Sequence, residues 1–197
     1  MTARQDAGIR VDEWGPAGDE AVVARDVDML AGILHAVVHD GAGVSFIVPF
    51  TMEDACRFWR DSVLPGVRRG TRRVLVARDG PWIVGTVQLE LDMPPNQRHR
   101  AEVLKLLVHP SARRRGIARA LMGGLERVAR SERRTLLTLD TWTGSHAESL
   151  YRSLGFVVAG VIPRFARGST TEALEPATIM YKDLPPLPPS SWKPGVS

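Results

Sequence analysis

The residues with the clearest chemical pattern in this chain are Arg113-Arg114-Arg115-Gly116-Ile117-Ala118. Their types suit an anion. The first turn of a helix carries free N–H groups and a partial positive charge. Phosphate oxygens reach those N–H groups only where side chains are small, and Gly116 and Ala118 meet that need. Arginines beside the turn add charge-assisted hydrogen bonds. The pattern is not a Walker loop, because no Gly-Lys-Ser/Thr follows, and it is not Gly-x-Gly-x-x-Gly. From these residues alone two readings stand: a pyrophosphate cradle, and a solvated basic loop that caps a helix.

The other reactive side chains offer less. Cys56 is the single cysteine and lies in Asp54-Ala55-Cys56-Arg57-Phe58-Trp59, which reads as an amphipathic helix. A structural thiol, buried or half-buried, is expected there rather than a nucleophile. One cysteine excludes a disulfide within the chain and a cysteine metal site, so a reducing cytoplasm and no metal are expected. His109 adjoins Pro110 and reads as structural; His35, His39 and His146 have no identifiable partner.

The formal charge of +4 raises the possibility of a nucleic-acid partner. The arginines argue against it. Arg68-Arg69, Arg72-Arg73, Arg113-Arg114-Arg115 and Arg133-Arg134 fall at element boundaries and are not interleaved with aromatics. No apolar run approaches the roughly 20 residues of a membrane helix, and residues 1–10 lack signal-peptide character. No nucleic acid and no membrane are expected as partners.

The elements that must position the turn can be read from periodicity. The first dozen residues are polar and read as loosely held. A short strand is expected over 21–25, then a helix capped by Asp26 with Val27, Leu30, Ile33, Leu34, Val37 and Val38 on one face. It ends at Asp40-Gly41. Thr51 and Asp54 outline a capping box for a second helix that runs toward Pro65-Gly66. Val74 to Ala77 and Trp82 to Leu91 read as a hairpin around Asp79-Gly80. A third strand covers 101–108, and the arginine turn leads into a helix with Ile117, Leu121, Leu125 and Val128 on one face. A strand over 135–139, a helix over 147–153, and strands at 155–158 and 177–181 complete the set. This order predicts a mixed α/β domain with a mostly antiparallel sheet flanked by helices. A single domain over 1–184 is expected, flexible over 1–8, with a Pro-rich flexible tail over 185–197.

Leu106-Leu107-Val108-His109-Pro110-Ser111-Ala112-Arg113-Arg114-Arg115-Gly116-Ile117-Ala118-Arg119-Ala120-Leu121-Met122 resembles the acetyl-coenzyme A motif of the GCN5-related N-acetyltransferases (GNAT). The motif's Arg or Gln, its Gly and its closing Gly or Ala fall on Arg113, Gly116 and Ala118. Leu150-Tyr151-Arg152-Ser153-Leu154-Gly155-Phe156 resembles the family's second signature. Ala101-Glu102-Val103-Leu104-Lys105-Leu106, Leu137-Thr138-Leu139-Asp140-Thr141 and Ala177-Thr178-Ile179-Met180-Tyr181-Lys182 are similar to the tabtoxin-resistance branch of that family.

The resemblance implies the GNAT acyl-CoA N-acyltransferase fold, with acetyl-CoA as cosubstrate. It implies that main-chain groups of Leu106, Leu107 and Val108 lie along the pantetheine arm. Gly116, Ile117, Ala118 and Arg119 then cradle the pyrophosphate, with Arg113, Arg114 and Arg115 alongside. Glu102 and Asp140 are implied as acids that take the proton of an attacking amine. Tyr151 is implied as the proton donor to the departing thiolate. One departure stands out: many relatives carry Asn where this chain has Gly144, leaving Ser145 or Ser149 to substitute. The reading that follows is acetyl transfer to an amine of a small molecule, such as an amino-acid-like toxin or antibiotic, by a monomer or homodimer. A protein N-terminal or lysine acetyltransferase, a non-catalytic acyl-CoA sensor and a basic nucleic-acid binder are the alternatives. The segments 40–50 and 163–175 are expected to be substrate loops that carry no signature of the acceptor.

Overall fold

The computed structural model describes residues 8–15 and 19–185. The expectations for 1–7 and for the tail beyond Pro185 lie outside the described residues.

Among the described residues seven strands form one sheet: β1 (Arg10–Trp14), β2 (Arg72–Asp79), β3 (Trp82–Glu90), β4 (Arg100–Val108), β5 (Leu136–Trp142), β6 (Val157–Arg167) and β7 (Leu174–Asp183). Their spatial order is β1-β2-β3-β4-β5-β7-β6. Every neighbouring pair is antiparallel except β4 and β5, which run parallel. That parallel pair needs a crossover, and α4 (Ile117–Ser131) supplies it. The mixed, mostly antiparallel sheet flanked by helices is the architecture that the periodicity predicts.

Alternation along the strands divides the core in two. Leu75, Val87, Leu89, Ala101, Val103, Leu137 and Leu139 pack under Leu121, Met122 and Leu125 of α4. On the other face Val74 and Val76 meet Val27, Leu30, Leu34 and Val38 of α1 (Glu20–His39), together with Trp14 and Trp59. Each fully buried side chain of this kind stabilises the fold by about 1.5–3 kcal/mol.

The N-terminal third departs from the sequence reading. Residues 21–25 are the first turns of α1, not a strand, and Asp19 caps the helix by accepting from the Ala21 N–H at 2.9 Å. Asp26 is not a cap. It is buried inside the helix and accepts from Arg78 Nη2 of β2 at 2.6 Å. The edge strand β1 falls where a loose terminus was expected; its two buried or half-buried apolar residues, Val11 and Trp14, were too few to announce it.

Thr51 and Asp54 form the expected capping box on α2 (Met52–Arg57). The helical run then passes through a π turn, Phe58–Val63, into α3 (Leu64–Arg69), with Pro65 in its first turn. The run therefore extends past Pro65-Gly66: proline is tolerated where no intrahelical N–H is required. Helix α5 (His146–Ser153) follows β5.

Candidate active site

The site begins where two strands stop pairing. β4 and β5 are in register only at Arg100–Leu136, Ala101–Leu137 and Glu102–Thr138. Both strands continue, β4 to Val108 and β5 to Trp142, but they part. Past Glu102 the β5-facing edge of β4 has no strand partner among the described residues. Unpaired backbone groups are strong hydrogen-bonding groups that must find other partners. The edge opens into a cleft of about 960 Å³.

The arginine turn closes one end of this cleft. Gly116 has φ 78° and ends the turn as the N-cap of α4. An L side chain is strained in that left-handed conformation, which explains glycine here. Among the described residues no side chain caps the helix, so first-turn N–H groups are left for another acceptor. Gly85 of β3 lets the helix end approach the sheet: a Cβ there would meet Ile117 Cγ2 at 3.0 Å and the Leu107 carbonyl at 3.1 Å.

Leu106, Leu107, Val108, Arg113, Arg114, Gly116, Ile117, Ala118 and Arg119 all line the cleft, as do Asp140 and Tyr151. Two expected site residues do not. Arg115 turns to Asp79 at the β2–β3 hairpin, with Nη1–Oδ2 at 2.8 Å. Glu102 is half-buried on β4 at the last paired position, opposite Glu90 on one side and Thr138 on the other. The remaining arginines differ in their commitments. Arg113 donates to Asp40, at the C-terminal end of α1, at 2.5 Å. Arg119 donates to Ser153 Oγ at 2.8 Å. Arg114, with φ 63°, lies in the left-handed region beside Gly116.

Tyr151 projects from α5 and is 6% exposed. Its ring packs on Phe156 at a centroid distance of 5.6 Å. Burial pushes its phenol well above the ordinary value, and the nearby Asp140 charge pushes the same way. The hydroxyl therefore stays protonated. Asp140 is exposed in the cleft on β5.

At the N-terminus of α5, Gly144 has φ 77° and its N–H donates to the buried Glu148 at 2.7 Å. That hydrogen bond, then the Arg152 guanidinium, hold the Glu148 carboxyl below the usual carboxylate range. Ser145 lines the cleft but its hydroxyl already accepts from the Glu148 N–H; Ser149 is exposed and outside the lining.

Sequence reasoning missed two contributors. One is Asp40, a carboxylate held against Arg113. The other is Lys105, which lines the cleft from a bulge in β4. Strand pairing jumps from Gln88–Leu104 to Thr86–Leu107, and Lys105 has φ 50°. Its Nζ donates to Ser45 Oγ at 3.0 Å and lies 5.5 Å from the Phe46 ring centroid. The two expected substrate loops meet each other, with the Val48 N–H donating to the Ser169 carbonyl at 2.9 Å. Part of the second is hairpin, since Arg167 pairs with Leu174. Cys56 is half-buried and outside the cleft, and burial raises its thiol pKa, as befits a structural thiol.

The N-acetyltransferase of Staphylococcus aureus Mu50 superposes with a TM-score of 0.73 at 16% identity, covering 90% of this chain and 99% of that one. The ribosomal-protein-alanine N-acetyltransferase of Brucella melitensis gives 0.69 at 23% identity, covering 89% and 99%. The yncA structure from Salmonella typhimurium, solved with its cofactor acetyl-CoA, gives 0.65 at 18% identity, covering 89% and 93%. At these identities the likeness establishes a shared fold. The family model described as "Acetyltransferase (GNAT) family" matches residues 36–156, from the last turn of α1 through the arginine turn to Phe156. A match of that extent, across the parting strands and the uncapped helix, makes this chain a member of the GNAT acetyltransferase family.

Proposed function

We propose that this chain moves an acetyl group from acetyl-CoA to an amine of a small, amino-acid-like molecule, by direct attack in a ternary complex. The observation that carries the reading is the parting of β4 from β5 next to the uncapped N-terminus of α4, in one cleft with Asp140 and Tyr151. The acetyl-CoA in the yncA structure supports the choice of cosubstrate.

The residues fit that group. The free β4 edge at Leu106, Leu107 and Val108 offers main-chain partners for the amides of a pantetheine arm. First-turn N–H groups at Ile117, Ala118 and Arg119 suit a pyrophosphate, with Arg114 beside them and Arg113 released from Asp40. Arg115 adds only to the local field. Acetyl-CoA, when bound, supplies an activated acetyl group that a neutral amine accepts without a covalent enzyme intermediate.

The remaining work falls to side chains. An amine is mostly protonated at neutral pH and must lose a proton. Asp140, a carboxylate within the cleft, attracts the cation and receives that proton. Glu102, outside the lining, assists through water and through its charge. A main-chain N–H of β4 near Leu107 or Val108 stabilises negative charge that develops on the acyl oxygen. Tyr151, kept protonated by burial, donates to the departing sulfur.

The test is an acceptor screen by thiol release with mass detection of products, across amino acids, polyamines, aminoglycosides, toxin-like dipeptides and peptides with free N-termini. Acetylation of a small amine is expected. The Brucella relative makes protein N-termini the second reading; selective acetylation of the peptides would establish it instead.

A further inference from the structure

The cleft holds a cation that the proposed mechanism does not use, Lys105. Strict alternation along β4 would send Lys105 toward the α4 side, where Ala101 and Val103 are buried. The bulge reverses the alternation. Beyond it Leu107 packs into the α1-side core, while Leu106 and Val108 pack against the α4-side core. Lys105 thereby shares the α1-side face with Leu104 and Leu107 and reaches the cleft, at the cost of a left-handed φ of 50°. Bulges of this kind commonly re-aim a side chain beside a site.

The ammonium is fixed there but not neutralised. Ser45 Oγ holds it at 3.0 Å, and the Phe46 ring faces it at 5.5 Å. Among the described residues no carboxylate lies within ion-pair distance of Lys105, although fourteen such pairs exist elsewhere in the molecule. Burial lowers the Lys105 pKa from its ordinary value; the charge of Asp140, which lines the same cleft, opposes that shift, and the charge of Arg72 adds to it. Two unlike charges thus face one cleft without touching. With Lys105 held by Ser45 and both charges lining one cleft, a molecule that carries an amine and a carboxylate meets a partner for each.

We infer that Lys105 is the receptor for a carboxylate on the acceptor, so that the substrate is an amino acid or close analogue whose amine faces Asp140 while its carboxylate pairs with Lys105. This rests on the acetyl-transfer reading above and deepens it: the amino-acid-like acceptor becomes a zwitterion, and its carboxylate gains a named receptor. Both ends of such a molecule would be fixed, which orients its nitrogen for attack.

The experiment uses the full chain and matched pairs: each of the common amino acids against the amine left by removing its carboxylate. Thiol release and equilibrium binding in the presence of coenzyme A are measured for the wild type, Lys105→Met and Lys105→Arg. The wild type should favour the carboxylated member of at least one pair by tenfold or more in kcat/KM. Lys105→Met should erase that preference, chiefly through KM, and keep acetyl-CoA affinity within threefold; Lys105→Arg should retain part of it. Thermal unfolding separates a misfolded variant, and the wild-type preference stands as a test even if both variants fail to fold. The inference is overturned if no carboxylated member is bound or acetylated, if bare amines do equally well, or if Lys105→Met keeps the preference. It is also overturned if the variant loses acetyl-CoA instead, which would assign Lys105 to the cofactor. If the wild type binds no acetyl-CoA at all, the acetyl-transfer reading itself falls.

Discussion

Replacing Tyr151 by Phe isolates the proposed proton donor. The ring is 6% exposed and packs on Phe156 at 5.6 Å, and Phe preserves both features. Only the hydroxyl is lost, so stability should change by no more than about 1 kcal/mol. Loss of a positioned proton donor typically slows turnover by about 10²–10⁴-fold, equivalent to about 2.7–5.4 kcal/mol of barrier. Acetyl-CoA affinity, measured by calorimetry, should stay within about twofold because the pyrophosphate cradle and the β4 edge are untouched. The pH dependence carries a sign. Burial raises the phenol's pKa in the folded chain above its ordinary value of about 10. The stability contributed by the neutral form is therefore complete below about pH 10 and is lost as pH rises through the raised value. Tyr151→Phe should remove that part of the alkaline loss, and wild-type turnover should show no alkaline limb from Tyr151 near neutral pH. Once an acceptor is known, a thiol-release assay decides the matter. A folded Tyr151→Phe with turnover within threefold of wild type would refute the donor role.

Three further substitutions test other parts of the account. Asp26→Ala strands Arg78 without its 2.6 Å partner and should cost about 3–5 kcal/mol in denaturant unfolding; a loss below 1 kcal/mol would contradict a buried pair. Glu148→Gln removes the charge that accepts from Gly144 and Arg152, and should cost about 1–3 kcal/mol at pH 7. Because the folded carboxyl is held below its ordinary value of about 4.3, its contribution is present above that pH and fades as pH falls through the lowered value. Urea unfolding at pH 7 and pH 3 should therefore show a wild-type advantage that shrinks in acid, and an equal gap at both would count against it. Asp40→Asn frees Arg113; an exposed pair of this kind is worth about 0.2–1 kcal/mol, so acetyl-CoA should bind up to about fivefold tighter. Weaker binding would mean that Asp40 helps position the turn.

What the sequence discloses about this molecule follows from how local each signal is. The arginine turn, the β2–β3 hairpin and the α2 capping box depend on adjacent residues, and all are present as read. The misreadings arise where a distant partner decides. Asp26 has the type of a helix cap, but Arg78, far along the chain, recruits it into the core. β1 exists because β2 offers an edge, not because its own five residues demand a strand. Within the cleft, spacing brought out the helix end and the strand before it. It did not reveal that Arg113 and Arg115 already hold Asp40 and Asp79, because both contacts join elements remote in sequence. Nor did alternation reveal Lys105, since a bulge is invisible to a pattern that assumes regular pleating.

The central claim is that the cleft opened by the parting of β4 from β5 receives acetyl-CoA. The most direct test is calorimetric titration of acetyl-CoA into the purified full chain at low and at physiological salt. The account predicts saturable binding at micromolar or tighter affinity that weakens as salt screens the arginine turn. An absence of binding at low salt would contradict it.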